Sequence, residues 1–181
     1  MFSILSVDLV NFRSYVGEHS FEFPTEDGLY CLTGINRLNP RLGANDVGKS
    51  TLFEVIFWCL YERTTRELKA GDVVSWHQKS CEVIACLEVG ESKYAVCRMQ
   101  SPNQLTINDR IVDQDELNRI LRLGPDAFTY AVMIPQFGDS FFDLKPADKL
   151  TLFSQIMELD FWLDKSKSAD EQATRHKHER E

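Results

Sequence analysis

The spacing of apolar and polar positions changes period several times along the chain, and each change marks an element. Residues 2–12, "FSILSVDLVNF", and 17–23, "GEHSFEF", alternate at period two and read as two strands of a meander. A turn at "PTEDG" leads into a short apolar run, "LYCLTG", expected as a third strand. In "VGKSTLFEVIFWCLYER" the period lengthens. Leu52, Val55, Ile56, Cys59 and Leu60 recur at helical spacing, so a helix is expected to begin near Gly48. "CEVIACLEV" and "KYAVCRM", separated by "GES", read as a hairpin. "LTINDRIV" reads as a second, tighter hairpin turning at Asn108-Asp109.

Helices dominate the remainder. Asp113 and Glu116 have the spacing of a capping box, and Gly124-Pro125 ends the short helix they open. "DAFTYAVMIPQ" passes from a helical turn into an extended segment. Pro146 suits the first turn of another helix, in which Leu150, Phe153, Ile156 and Met157 share a face. The tail after Trp162, "LDKSKSADEQATRHKHERE", is almost wholly polar, the pattern of a disordered end or of a helix leaving the globular body. There is no internal repeat.

Composition narrows the class without naming a function. The chain has 181 residues, 43% hydrophobic and 27% charged, room for one globular domain or most of one. No apolar run approaches the ~20 residues of a membrane span. Asp8 and Arg13 interrupt the N-terminus where a signal peptide needs an apolar block. A cytoplasmic or nucleoid-associated protein is therefore expected, with no membrane partner. The five cysteines (Cys31, Cys59, Cys81, Cys86 and Cys97) lie mostly inside apolar runs and form no C-x-x-C, so buried free thiols are expected. A net charge of −8 counts against a surface that is basic all over, but not against a local basic patch.

The chemistry centres on Gly43-Ala44-Asn45-Asp46-Val47-Gly48-Lys49-Ser50, which matches G-x-x-x-x-G-K-[ST] and continues into Thr51. Such a loop wraps a phosphate chain with successive backbone N–H groups, and its glycines permit the close approach. Lys49 would reach the β- and γ-phosphates, Ser50 would offer its hydroxyl to magnesium, and the helix N-terminus would face the nucleotide. Gly34 lies too far upstream to open the loop, so residues 34–42 form an extra segment carrying Arg37, Pro40 and Arg41. Asp46 is out of keeping with a polyanion site and is expected to point away from the phosphates, towards a cationic group. Arg63, Arg66 and Lys69 cluster past the helix, which by itself fits a solvated helix end whose cations complement the dipole.

Three landmarks together resemble one family: "LVNFRSY", the phosphate loop, and "AVMIPQFGDSFFDLKPADKLTLFSQIMELDFW". They are similar to the N-terminal half of SbcC-type ATPases, the SMC-like Rad-fifty family of DNA double-strand-break processing. The resemblance implies an α/β P-loop NTPase lobe of the ABC/SMC head type, a mixed sheet with an antiparallel meander plus helices. Residues 1–160 would form the lobe and residues 161–181 the root of an ascending coiled coil. It implies ATP and Mg2+ as ligands, with Arg13 and Ser14 beside the nucleotide and Asn45 bridging an engaged head dimer. Gln136 would be the Q-loop glutamine that, with Ser50, touches magnesium and, with Lys49, serves hydrolysis. Asp46 departs from the glycine usual in the family.

The implied partners are the C-terminal lobe of the same ATPase, a second head in a homodimer, an SbcD (Mre-eleven)-type nuclease and double-stranded DNA, whose phosphates Arg63, Arg66 and Lys69 would contact. The chain carries no Walker B strand and no L-S-G-G signature, so little turnover is expected of it alone. An SMC-type clamp that tethers DNA without controlling a nuclease is the alternative. A transporter subunit fits less well with "NFRSY", and a small GTPase lacks its N-K-x-D motif. The insertion before the loop resembles phage-encoded members.

Overall fold

The structure, a computed structural model, describes residues 2–37, 39–45, 47–66, 68–134, 141–157 and 159–178. The chain divides into two compact units, Met1–Leu121 and Arg122–Glu181.

The first unit is built on a six-stranded sheet in the order β2-β1-β3-β4-β5-β6. Its strands are β1 (Phe2–Phe12), β2 (Tyr15–Glu22), β3 (Cys81–Val89), β4 (Ser92–Gln100), β5 (Gln104–Ile107) and β6 (Arg110–Ile111). Every described pairing is antiparallel. The tight β5–β6 turn places Asn108 at φ 49° and Asp109 at φ 64°. Two successive left-handed residues are what a twisted two-residue hairpin demands. The excursion between β2 and β3 carries the phosphate loop and the helix α1 (Lys49–Tyr61).

One face of the sheet is the core. Val7 and Leu9 of β1 pair across from Ala85 and Val83 of β3, and all four are buried. Helix α1 lies against this layer, and its burial runs beyond the five apolar positions expected. Phe57, Trp58 and Tyr61 are buried as well, so the helix is enclosed on nearly all sides. Phe12 meets Trp58 with ring centroids 5.3 Å apart, which ties the end of β1 to the middle of α1.

The C-terminal end of α1 has a dedicated partner. Arg98 of β4 points into the core at 2% exposure, where its Nε donates to the Cys59 carbonyl at 2.8 Å. Its two terminal nitrogens reach Glu62 at 3.1 Å and Gln114 Oε1 at 2.5 Å, while Gln114 donates to the Leu60 carbonyl at 2.8 Å. Carbonyls that a helix end leaves without intrahelical partners are thus satisfied by a cation and an amide. The helix α2 (Gln114–Leu121) opens on half of the expected capping box. Asp113 Oδ1 accepts from the Glu116 N–H at 2.8 Å, but the Glu116 carboxylate pairs with Arg110 instead.

Two expectations are corrected here. Residues 29–34, expected as a strand, have no regular secondary structure, and Leu29, Tyr30, Leu32 and Ile35 are exposed. A strand needs a ladder partner for its backbone groups, and none of the described strands pairs with this run. Cys31, within it, is consequently exposed, whereas Cys59 and Cys81 are buried and Cys86 and Cys97 half-buried.

The second unit contains the helices α3 (Pro125–Ala131), α4 (Pro146–Ile156) and α5 (Leu159–His178). Both α3 and α4 begin with proline in the first turn. That placement uses a residue whose missing N–H costs nothing there. Leu152 of α4 is buried, while Leu150, Phe153, Ile156 and Met157 form an exposed apolar face. The polar tail is helical as far as His178, within α5. Among the described residues no helix is long and apolar enough to cross a membrane.

Candidate nucleotide-binding site

The phosphate loop hangs between the β1–β2 turn and the start of α1, and it is glycine-dependent at both ends. Gly43 sits at φ 58°, ψ −121°, a region that side chains rarely adopt. Gly48, at φ 83°, is the N-cap of α1. No side chain caps this helix and its first turn holds no acidic residue, so its leading N–H groups are left for an anion. The Lys49 ammonium lies over the loop and donates to the Ala44 carbonyl.

The β1–β2 turn braces the loop from one side. A bulge at Asn11, φ 54°, shifts the register of β1 and sends Phe12 into the core. Asn11 Oδ1 then accepts from the Gly17 N–H at 2.8 Å, closing the turn. The Tyr15 hydroxyl donates to the Gly48 carbonyl at 3.1 Å, and the Ser14 hydroxyl reaches that of Thr51 at 3.5 Å. Burial of the Tyr15 phenol raises its pKa above the ordinary 10.0. Arg13, at φ 49°, is fixed through its N–H to the Val73 carbonyl at 2.8 Å.

The extra segment before the loop is fastened to it by Asn36. The Asn36 N–H donates to the Gly43 carbonyl at 3.2 Å, its Nδ2 to the Asn45 carbonyl at 3.1 Å, and its Oδ1 accepts from the Asn39 N–H at 2.8 Å. A 3-10 turn, Pro40–Leu42, fills the segment. Gly34 is required by packing rather than by φ, because a Cβ there would stand 2.5 Å from Val47 Cγ2. It therefore serves the loop without opening it.

Of the expected nucleotide residues, Ser14, Gly43, Asn45, Val47, Gly48, Lys49, Ser50 and Thr51 gather around this loop and the first turn of α1, with Arg13 on the adjoining turn. Asp46 and Gln136 lie outside the described residues. Arg63, Arg66 and Lys69 are exposed in the connection after α1. That connection folds back along the helix, because buried Glu54 accepts from the Thr65 N–H at 3.0 Å and from its hydroxyl. Among the described residues no group of three His, Cys, Asp or Glu side chains could hold a metal ion.

Tyr15, Asn36 and Glu54 were not singled out from sequence. Glu54 alone left a signal, a lone carboxylate inside the apolar run "LFEVIFWCLY". The partners of the other two are distant in sequence or main-chain atoms, which no residue pattern encodes.

The antiparallel sheet, the uncapped helix start and the glycine-ended loop define the N-terminal lobe of a P-loop ATPase. Comparison with known proteins fixes the family. The AAA domain profile matches residues 6–180, and the chain belongs to that family. Within it, the chain matches the N-terminal half of an SMC-like ATPase. It is 30% identical over 131 residues to the DNA replication and repair protein RecF of Moorella thermoacetica (strain ATCC 39073 / JCM 9320), covering 68% of this chain and 32% of that protein. It is 26% identical over 129 residues to exonuclease subunit 2 of Enterobacteria phage T4, covering 65% of this chain and 23% of that one. Its fold is shared with a solved structure of the recombination mediator protein RecF-ATP, at TM-score 0.51 and 17% identity, over 62% of this chain and 28% of that chain. The chain thus spans about a third or less of the relatives it matches.

Proposed function

We propose that the chain is the ATP-binding half of an ATPase head that acts in DNA repair. Joined to the C-terminal lobe of the same ATPase, it pairs with a second head around two nucleotides. Head closure and hydrolysis then govern the processing of DNA ends by a partner nuclease of the SbcD (Mre-eleven) type. The observation that carries this reading is the uncapped start of α1 behind a glycine-ended loop, with the Lys49 ammonium lying over that loop. The ATP of the solved RecF-ATP structure supports the ligand, and the likeness to a phage exonuclease subunit supports the nuclease partnership.

In this reading the loop N–H groups and Lys49 hold the phosphates and oppose the charge that develops on them. Ser50 and Gln136 would hold Mg2+, which would supply charge neutralisation at the phosphates, and the Gln136 amide would also orient water. Arg13 and Ser14 flank the nucleotide, Asn45 faces the second head, and the general base comes from the C-terminal lobe. Exposed Arg63, Arg66 and Lys69 contact the phosphates of double-stranded DNA without reading its sequence. Residues 1–160 would form the lobe and 161–181 the coiled-coil root, a role supported by the length and exposed polar surface of α5.

The test is ATP binding by the chain and ATP turnover with and without the C-terminal lobe. Lys49→Ala is expected to weaken ATP binding at least about tenfold, since it removes a charged hydrogen bond worth about 1.5–3 kcal/mol. Turnover is expected only when both lobes are present. Unaltered ATP affinity in Lys49→Ala, or efficient turnover by the chain alone, would overturn the reading.

A further inference from the structure

Trp76 is the most exposed aromatic side chain described in the first unit, at 87%. A large apolar ring in water is ordinary on a loose loop, but this one stands on a turn fixed from several directions. The Ser75 N–H donates to the Asn11 carbonyl at 2.9 Å, and the Ser75 hydroxyl donates to the Tyr15 carbonyl at 3.0 Å. Val74 bridges to Phe12, and the Gln78 N–H closes the turn on the Ser75 carbonyl at 3.0 Å. His77 takes φ 63°, a conformation in which a non-glycine residue costs on the order of 1 kcal/mol. Its ring braces the indole edge-on, with centroids 6.2 Å apart. The backbone therefore holds Trp76 outward at some energetic cost.

The place where it is held is informative. The turn under Trp76 is bonded to the same Asn11–Tyr15 turn that supports the phosphate loop. One tyrosine links the two: Tyr15 accepts from Ser75 with its carbonyl and donates to Gly48 with its hydroxyl. Ser75, the residue before Trp76, and Gly48, at the end of the phosphate loop, are therefore held by opposite ends of one tyrosine. A nucleotide gripped there by its phosphates carries its base one ribose further out, where a side chain on the neighbouring turn can meet it.

We propose that Trp76 is the platform on which the purine base of the bound nucleoside triphosphate stacks, with His77 bracing the indole. This rests on the reading of the Gly43–Thr51 loop as a triphosphate site. A base stacked on an aromatic ring gains about 1–3 kcal/mol, or about 5- to 150-fold in affinity, and any planar base is accepted. The stack adds affinity for the base and none for the phosphates. An unpaired DNA base has the same chemistry, and the experiment separates the two sources.

Calorimetric titration of the chain with Mg-ATP and with magnesium tripolyphosphate, in wild type, Trp76→Phe and Trp76→Ala, tests the assignment. Trp76→Ala is expected to weaken ATP binding about tenfold and leave tripolyphosphate binding unchanged, with Trp76→Phe retaining most of the ATP affinity. Indole fluorescence should be quenched by ATP but not by tripolyphosphate, and the quench should vanish in Trp76→Phe. Equal ATP affinity in Trp76→Ala overturns the inference and leaves the phosphate site standing. Equal weakening of both ligands overturns it too, because the role would then be structural. Quenching by a single-stranded oligonucleotide with ATP binding unaffected overturns it in favour of DNA. If wild type binds neither ligand, the phosphate-site reading and this inference fall together.

Discussion

Gly34 and Val47 show how a single atom can set the shape of the phosphate loop. The loop passes so close to the preceding segment that a methyl at position 34 would overlap the Val47 side chain at 2.5 Å. Gly34→Ala is therefore expected to lower thermal stability and ATP affinity together, within the 1–3 kcal/mol typical of overpacking. Adding Val47→Ala removes the clashing atoms, so the double variant should recover much of both losses. Strictly additive losses in the double variant would mean that the clash is not the cause. At this scale the sequence was half legible. The Gly-x-x-x-x-Gly-Lys-Ser pattern located Gly43, Lys49 and Ser50 because their spacing is local. Tyr15 was hidden because its value lies in one hydroxyl placed against a carbonyl 33 residues away.

Helix α1 is the element on which the site depends, since its two ends carry the phosphate loop and the Arg98 anchor. Removing the guanidinium would leave the Cys59 carbonyl, the Gln114 amide oxygen and the Glu62 carboxylate short of a donor. Arg98→Met is expected to cost about 3 kcal/mol, read as a lowered denaturant midpoint; a change below about 1 kcal/mol would show the anchor to be dispensable.

Burial of the same helix and of the neighbouring strand edge also sets a pH limit. The Cys59 thiol is pushed up to about 12 and that of Cys81 to about 11, both chiefly by desolvation, from an ordinary value of 9.0. The folded state then holds these protons more tightly than the unfolded state does. Their contribution is complete below pH 9 and is lost as pH rises through 11 and 12. Urea midpoints are expected to fall between pH 9 and pH 11, and Cys81→Ala should flatten part of that slope. An identical slope in the variant would remove Cys81 from the account.

Elements whose partners are neighbours in sequence were legible from periodicity, as in "CEVIACLEV" and the Asn108-Asp109 hairpin. The run at 29–34 was misread because strand propensity records only a residue's suitability for a sheet. Whether a neighbouring strand exists is a separate condition.

At the scale of the whole molecule, that misread run becomes a prediction about assembly. Leu29, Tyr30, Leu32 and Ile35 together expose an apolar stretch immediately before the phosphate-loop region. The relatives matched here are three to four times longer than the matched span. Under the proposed split head, the C-terminal lobe supplies the missing strand neighbours and covers these side chains. Cys31 lies in the middle of the run and is the exposed thiol among the five cysteines, so it reports on this contact directly. In the chain alone Cys31 is expected to react quickly with a maleimide, while Cys59 and Cys81 react only on unfolding. Addition of the C-terminal lobe should slow Cys31 labelling at least about tenfold, and hydrogen exchange across residues 29–35 should slow with it as backbone groups enter a ladder. Should ATP turnover appear on mixing while Cys31 stays as reactive as before, the two lobes would be meeting through some other surface.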